Sequence, residues 1–210
     1  MERSQPTDTD RRMIRAVVFD LDGVLRHFDP VHVARIEARH GLPAGSIHET
    51  AFDASLLAAV TTGAITREEW MLRVGALLEN TVAAAEWAAH PSTPDEDMLA
   101  LSDELRASGI RTAILTNGTD TIPAELRELG IDSRVDAVFN SADIGFAKPD
   151  VRAFQHVLDA LSLHPHEVFF TDDSAGKLAG AHVLGMPTHH FTSIDGLREA
   201  LRATGLAVSV

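Results

Sequence analysis

A short apolar run that ends in two aspartates constrains this chain more than any other feature. Residues 16–19 read AVVF, and the next four residues read DLDG. A run of this kind, rich in valine, favours a strand buried on both faces of a parallel sheet over an alternating edge strand. The carboxylates of Asp20 and Asp22 would then lie at the carboxyl end of the strand, where open α/β sheets bind their ligands.

Two like charges at that position need compensation. Burial at the end of an apolar sheet disfavours the ionised form of both aspartates, and their mutual repulsion adds to the cost. A hard divalent cation such as Mg²⁺, which prefers oxygen ligands, would supply the missing positive charge. A solvated turn, in which an aspartate side chain bonds to the backbone near Gly23, is the alternative interpretation of the same residues.

Composition limits the classes of function that the chain can serve. Its 210 residues suffice for one domain with an insertion or for two modest domains. The net charge of −13 would repel nucleic acid and anionic membranes, so any phosphate site must be made by local groups. The chain has no cysteine, which excludes disulfides and thiolate nucleophiles.

The ends and the hydropathy of the chain indicate a soluble protein. Residues 1–12 are polar and charged, and we expect them to form a disordered arm. No run approaches the ~18 apolar residues of a membrane span. We therefore expect a cytoplasmic protein with no nucleic-acid or membrane partner, and the sequence leaves open whether it is a monomer or a homodimer.

The pattern changes from strand-like to helix-like after Leu25. Apolar residues at three- and four-residue spacing predict four helices, over residues 31–40, 54–61, 67–78 and 81–90. Thr66 and Glu69 match a capping box at the start of the third helix. We therefore predict a small all-α insertion over residues 28–91, and the HPSTP sequence of residues 90–94 is typical of a linker that leaves it.

Helices and strands alternate over the rest of the chain. Strands are predicted over residues 111–115, 135–140, 168–171 and 188–191. Helices are predicted between them, over residues 95–108, 120–129, 150–161 and 175–184. This alternation predicts an α/β fold with a Rossmann-like parallel sheet and helices on both faces. The core would comprise residues 13–27 and 92–210.

Polar residues at three strand ends are predicted to meet at one edge of this sheet. They are Asp20 with Asp22, Thr116 with Asn117, and Asp172 with Asp173. Burying unpaired carboxylates at the ends of these strands would lower the stability of the fold, so a purely structural role is disfavoured. Lys148, directly before a helix opened by Pro149, would add the positive charge that a phosphate needs beside these aspartates. A shared metal and anion site explains all of these residues together.

The same residues form four motifs that resemble those of the haloacid dehalogenase-like hydrolases. The motifs are DLDGVL from Asp20, LTNG from Leu115, KPD from Lys148 and FTDDS from Phe170. The resemblance extends from residue 14 to about residue 203. The helical insertion resembles the small helical cap of that family, and the paired aspartates resemble a subgroup with a DDS-type fourth motif.

The resemblance implies a Mg²⁺-dependent phosphatase that acts on a small phosphorylated metabolite through an aspartyl-phosphate intermediate. Asp20 would be the nucleophile, and Asp22 would act as acid and then as base. Thr116 and Lys148 would hold the transferring phosphoryl group, aided by the backbone amide of Asn117. These roles agree with the chemistry of phosphoryl transfer, in which positive charge stabilises the phosphoryl oxygens and a second carboxylate moves protons.

The resemblance also implies a set of magnesium ligands. They would be the Asp20 carboxylate, the Asp22 carbonyl and Asp173, with Asp172 assisting. Lys177 departs from the family pattern, because the subgroup usually has Asn or Asp four residues after the metal-binding aspartate. An ammonium at that position would either pair with Asp173 and weaken Mg²⁺ binding or extend into solvent.

Contacts to the substrate and the type of reaction are less constrained. His27 and Phe28 follow the first motif, and we expect both to contact substrate. A phosphomutase of the same superfamily is one alternative, and a catalytically weak member that binds a ligand or partner, which Lys177 favours, is another. A dehalogenase is disfavoured, because that branch of the family has no carboxylate at the position of Asp22.

Overall fold

A five-stranded parallel sheet forms the centre of the structure. The computed structural model describes residues 13–209, and the arm predicted for residues 1–12 lies outside the described residues. The strands are β1 Ala16–Phe19, β2 Arg26–Phe28, β3 Ser92–Pro94, β4 Arg111–Thr116, β5 Ala137–Asn140, β6 Val168–Asp172 and β7 Thr188–His190. The sheet has the order β5-β4-β1-β6-β7, and all its neighbouring strands are parallel. Strands β2 and β3 form a separate antiparallel pair.

Helices connect these strands. They are α1 His32–His40, α2 Ser46–Ala51, α3 Ala54–Thr61, α4 Arg67–Leu77, α5 Thr81–Ala88, α6 Glu96–Ala107, α7 Ile122–Glu128, α8 Ser141–Ile144, α9 Val151–Leu161, α10 Ala179–Leu184 and α11 Ile194–Ala203. In the described part of the chain, no helix combines the length and the apolar character that crossing a membrane requires.

Strand β1 lies in the middle of the sheet because its residues are apolar on both faces. All four of its residues are buried. Phe19 faces a cluster that contains Leu101 of α6 and Leu197 of α11, whereas Val18 faces a second cluster that contains Phe154 of α9. The sheet therefore has helices on both faces, and the predicted Rossmann-like α/β fold is confirmed.

The strand order positions the site. Strand β1 pairs with β4 on one side and with β6 on the other, and all three run in the same direction. Asp20, Thr116 and Asp172 consequently lie at adjacent strand ends. The Asp20 N–H donates to the Thr171 carbonyl at 2.9 Å, which continues the β1–β6 ladder to Asp20.

Helices α1 to α5 lie between β2 and β3 and have hydrophobic clusters of their own. One cluster contains Val60, Trp70 and Val74. The capping box of α4 is present, since Thr66 accepts from the Glu69 N–H and Glu69 accepts from the Thr66 N–H. This arrangement has the form of an inserted helical cap, and the exact division at residues 28–91 stays a prediction.

Several local features differ from the sequence-based expectation. Part of the predicted linker, Ser92–Pro94, is strand β3, which pairs with the unpredicted strand Arg26–Phe28. Helices α2, α8 and α11 were not predicted. The helix predicted over residues 175–184 begins with a separate 3-10 turn, Ala175–Leu178, before α10.

Burial predicts unequal effects for two leucine truncations. Leu101 in α6 is fully buried, so Leu101→Ala should lower the free energy of unfolding by about 2–5 kcal/mol. Leu72 in α4 is 55% exposed, so Leu72→Ala should change it by less than about 0.5 kcal/mol. Urea unfolding monitored by circular dichroism measures both. Equal losses in the two variants would contradict the assignment of the core.

Candidate active site

The carboxylates of Asp20 and Asp172 are buried next to each other and share one ammonium. Their side chains are 2% and 0% exposed. Lys148 Nζ lies 2.7 Å from Asp20 Oδ1 and 2.7 Å from Asp172 Oδ2, and its side chain is also fully buried. Buried carboxylates require such a partner, because an isolated ionised group in an apolar environment is very costly.

The backbone of Lys148 is held by Asn117. Asn117 Nδ2 donates to the Lys148 carbonyl at 2.8 Å, and the Lys148 N–H donates to Asn117 Oδ1 at 2.7 Å. Asn117 directly follows β4, so this pair of hydrogen bonds fixes the lysine relative to the sheet edge. The sequence predicted a role for the Asn117 backbone amide, and the structure adds this contact of its side chain. Thr116, the last residue of β4, is buried beside it.

Lys177 supplies a second ammonium to the same carboxylates. Its Nζ lies 3.4 Å from Asp20 Oδ2 and 3.9 Å from Asp172 Oδ1. Burial alone would lower the pKa of Lys177, but the charges of Asp20 and Asp172 raise it above its ordinary value. The ammonium therefore faces the site and does not extend into solvent. Lys148 and Lys177 are the only two lysines of the chain, and the other basic side chains are Arg or His.

Asp20, Asp172 and Asp173 form a group that could hold a cation. Each offers a carboxylate oxygen, and these oxygens lie within 4.8 Å of one another. Asp173 is exposed at the mouth of the group and lies against Gly23, where a Cβ atom would come within 2.2 Å of Asp173 Oδ2. Gly23 also has φ +85°, a conformation that other residues rarely adopt. Three carboxylate oxygens this close together fit Mg²⁺, which prefers oxygen ligands.

The pKa directions in this group reflect the competition between burial and charge. Burial alone would raise the pKa of Asp20, but the ammonium groups of Lys148 and then Lys177 hold it below its ordinary value. Burial, and then the charge of Asp20, raise the pKa of Asp173. Asp20 is thus ionised, and Asp173 faces excess negative charge that a cation would relieve.

The Asp22 carboxylate points to a different partner. Arg26 Nε donates to Asp22 Oδ1 at 2.5 Å, and Arg26 Nη1 donates to Glu125 Oε2 at 2.7 Å. Glu125 Oε1 also lies 3.9 Å from Arg67 Nε of α4, so the ion pairs run from the sheet edge to the inserted helices. The Asp22 side chain lies outside the three-carboxylate group, and only its carbonyl remains as a predicted metal ligand.

The two residues expected to contact substrate have different positions. Phe28 is 40% exposed and lines a cavity of about 900 Å³ between the sheet edge and the inserted helices. His27 does not line this cavity, and its Nε2 lies 2.9 Å from Asp95 Oδ2. Sequence analysis missed Arg26 and Glu125. The position of Arg26, four residues after Asp22, was a weak signal for an ion pair with Asp22. No signal in the sequence indicated Glu125.

Comparison with known proteins establishes the family. The sequence model of the haloacid dehalogenase-like hydrolase family matches residues 14–185. Phosphatase MT3486 of Mycobacterium tuberculosis is 30% identical over 188 residues, which cover 82% of this chain and 85% of that protein. Bifunctional epoxide hydrolase 2 of Sus scrofa is 33% identical over 92% of this chain, which spans 39% of that protein. The chain belongs to the haloacid dehalogenase-like hydrolases, and it is a hydrolase.

Solved structures show the same fold. The family enzyme bt-2542 of Bacteroides thetaiotaomicron, in complex with magnesium and inorganic phosphate, has a TM-score of 0.71 at 22% identity and covers 84% of this chain and 93% of that chain. The L-2-haloacid dehalogenase of Xanthobacter autotrophicus has a TM-score of 0.63 at 26% identity. The match covers 91% of this chain and 83% of that chain. Both confirm the α/β architecture.

The position of Lys177 predicts a measurable cost to cation binding. Its ammonium lies beside two of the three candidate ligands, so Lys177→Asn should lower the Mg²⁺ dissociation constant several-fold, corresponding to about 1 kcal/mol. Isothermal titration calorimetry with MgCl₂ measures this constant without any substrate. Lys177→Arg is the matched control, because it keeps the positive charge and should leave the constant near that of the wild type.

An unchanged dissociation constant in Lys177→Asn would show that the ammonium does not compete with the cation. An equal change in Lys177→Arg would show that side-chain shape, and not charge, is responsible.

Proposed function

We propose that this hydrolase is a Mg²⁺-dependent phosphatase that hydrolyses a small phosphorylated metabolite through an aspartyl-phosphate on Asp20. The observation that carries the proposal is the buried Asp20 carboxylate at the end of β1, held ionised by Lys148 and Lys177. A second carboxylate, Asp22, follows two residues later. The similarity to a phosphatase over most of both chains also supports this reaction.

In the first half of the reaction, an Asp20 oxygen attacks phosphorus. The new O–P bond forms as the bond between phosphorus and the leaving oxygen breaks, and Asp22 donates a proton to that oxygen. Lys148 and the Thr116 hydroxyl hold the phosphoryl oxygens, where negative charge accumulates. The Asn117 side chain acts here as a positioning group, because it fixes the Lys148 backbone.

In the second half, Asp22 takes a proton from a water molecule, whose oxygen attacks phosphorus. The Asp20–phosphorus bond breaks, inorganic phosphate leaves, and the Asp20 carboxylate is regenerated. Asp22 must leave Arg26 to reach the substrate, since the two are bonded in this structure. Arg26 remains paired with Glu125 after that movement, so the buried guanidinium keeps one partner.

Asp20, Asp173 and the Asp22 carbonyl would hold Mg²⁺, with Asp172 assisting. When bound, the ion supplies positive charge that neutralises the phosphoryl oxygens and offsets the repulsion between the carboxylates. The net charge of −13 disfavours nucleic acid as substrate, which supports a small phosphorylated molecule in its place.

Two other functions remain as candidates within the same superfamily. A phosphomutase would pass the phosphoryl group to a second substrate in place of water. The contact of Lys177 with Asp20 favours a catalytically weak member that binds a ligand. The ammonium of Lys177 lies beside the Asp20 oxygen that would otherwise be open to substrate or metal. Turnover of a generic aryl phosphate in the presence of MgCl₂ distinguishes the phosphatase from both.

Substitution of the nucleophile should abolish turnover. Asp20→Asn keeps the shape of the side chain but removes the anionic oxygen that attacks phosphorus, so kcat for p-nitrophenyl phosphate should fall by at least about 10³-fold. Asp97→Asn, at an exposed position of α6, is the matched control and should retain wild-type kcat. Wild-type kcat in purified Asp20→Asn would remove Asp20 from the mechanism.

Substitution of the acid should discriminate between leaving groups. An alkyl oxygen needs a proton as its bond to phosphorus breaks, whereas p-nitrophenolate leaves without one. Asp22→Asn should therefore lower the rate of aspartyl-phosphate formation much more for a hexose phosphate than for p-nitrophenyl phosphate. Rapid-quench kinetics on both substrates measure that rate. Equal losses would contradict the role of Asp22 as general acid.

A further inference from the structure

A cavity of about 900 Å³ extends from the sheet edge into the inserted helices. At its core end it is lined by Asp22, two residues after Asp20, and by Asn117, which directly follows β4. At its other end it reaches α3, α4 and α5. The cavity therefore begins beside the proposed site of phosphoryl transfer and leads away from it.

The far part of the cavity is lined mostly by apolar side chains. Its apolar lining side chains include Phe52, Leu57, Val60, Trp70, Met71 and Trp87. The Trp70 and Trp87 rings meet edge to face at 5.0 Å between centroids, and Phe52 meets Trp70 in the same way at 6.2 Å. Edge-to-face contacts fix the orientation of these rings.

Most of the charged side chains in the lining are already paired with protein groups. Arg26 bonds to Asp22 and Glu125, and Arg67 Nη2 donates to the Ala88 carbonyl at 2.5 Å. The Glu37 carboxylate accepts from two backbone N–H groups at the start of α2. An apolar substrate body leaves all of these contacts intact.

We propose that the substrate is a phosphate monoester whose organic body is an apolar hydrocarbon, aliphatic or aromatic, held in this cavity. The proposal rests on the proposed phosphatase function. A cavity of this volume lies at the upper end of the roughly 300–1,000 Å³ typical of sites that enclose a drug-sized ligand. The phosphate itself binds at the sheet edge, so the remaining volume serves the body.

A series of alkyl phosphates tests the proposal. Full burial of one methylene strengthens binding roughly fourfold, so four extra methylenes should raise kcat/KM by at least about tenfold even when they are partly buried. Octyl phosphate should therefore exceed butyl phosphate by that factor, and it should exceed a hexose phosphate of similar size. Equal kcat/KM for octyl and butyl phosphate would overturn the proposal and leave the phosphatase function intact.

A matched pair of variants on α1 localises the effect. Ala34 lines the cavity and is exposed, so Ala34→Phe adds bulk inside it without displacing buried atoms. Ala38 lies one turn further on the same helix, is also exposed, and does not line the cavity. The ratio of octyl to butyl phosphate kcat/KM should fall several-fold in Ala34→Phe and stay unchanged in Ala38→Phe. A ratio unchanged in Ala34→Phe, or lowered equally in both, would overturn the assignment.

Tryptophan fluorescence tests the cavity without any turnover. The only two tryptophans of the chain, Trp70 and Trp87, both line it, so their emission reports its occupancy. Octylphosphonate, which has no hydrolysable ester bond, should change the emission with a dissociation constant at least about tenfold below that of butylphosphonate.

These readouts separate failure of the two proposals. If no phosphate ester is hydrolysed, the phosphatase function fails, and the fluorescence titration alone decides the apolar site. Tighter binding of octylphosphonate then supports the site, and equal binding of the two phosphonates overturns it.

Discussion

The structure depends on how negative charge is held at the carboxyl end of a buried strand. Asp20 and Asp172 are almost fully buried, and Lys148 lies 2.7 Å from both. Removal of one partner from such a group leaves an uncompensated buried charge, which is far more destabilising than loss of a surface ion pair. The strand order brings Asp20 and Asp172 to adjacent strand ends. The hydrogen bonds from Asn117 hold the Lys148 backbone in position beside them.

The distribution of charge differs between the sheet edge and the rest of the cavity. Three carboxylates face two ammonium groups, so the site keeps an excess negative charge that fits a cation, and we predict that Lys177 limits how strongly the cation binds. Away from the sheet edge, most charged groups in the cavity lining are paired with other protein groups, and most of the remaining lining is apolar. The two proposals thus place phosphate chemistry and recognition of the organic body in different parts of one continuous site.

The sequence predicts what local patterns determine and misses what distant contacts determine. Strand β1 and the convergence of the strand ends follow from an apolar run and from parallel topology. Strands β2 and β3 have no alternating pattern and depend on each other across more than 60 residues of sequence, while the start of α2 is capped by Glu37 of another helix. Helix α11 does carry a readable signal, with Ser193 as cap and Leu197 four residues before Leu201. The pairing of Lys177 with Asp20 depends on side-chain direction, which spacing alone does not determine.

The central claim is that phosphorus bonds to Asp20 during turnover. Mass spectrometry of peptides from enzyme that is acid-quenched during single turnover of a phosphate ester tests it most directly. We predict one added phosphoryl group on the peptide that contains Asp20, formed before free phosphate is released and lost at the rate of phosphate release. A phosphoryl group on another residue, or phosphate release with no phosphorylated peptide at any time, would contradict the account.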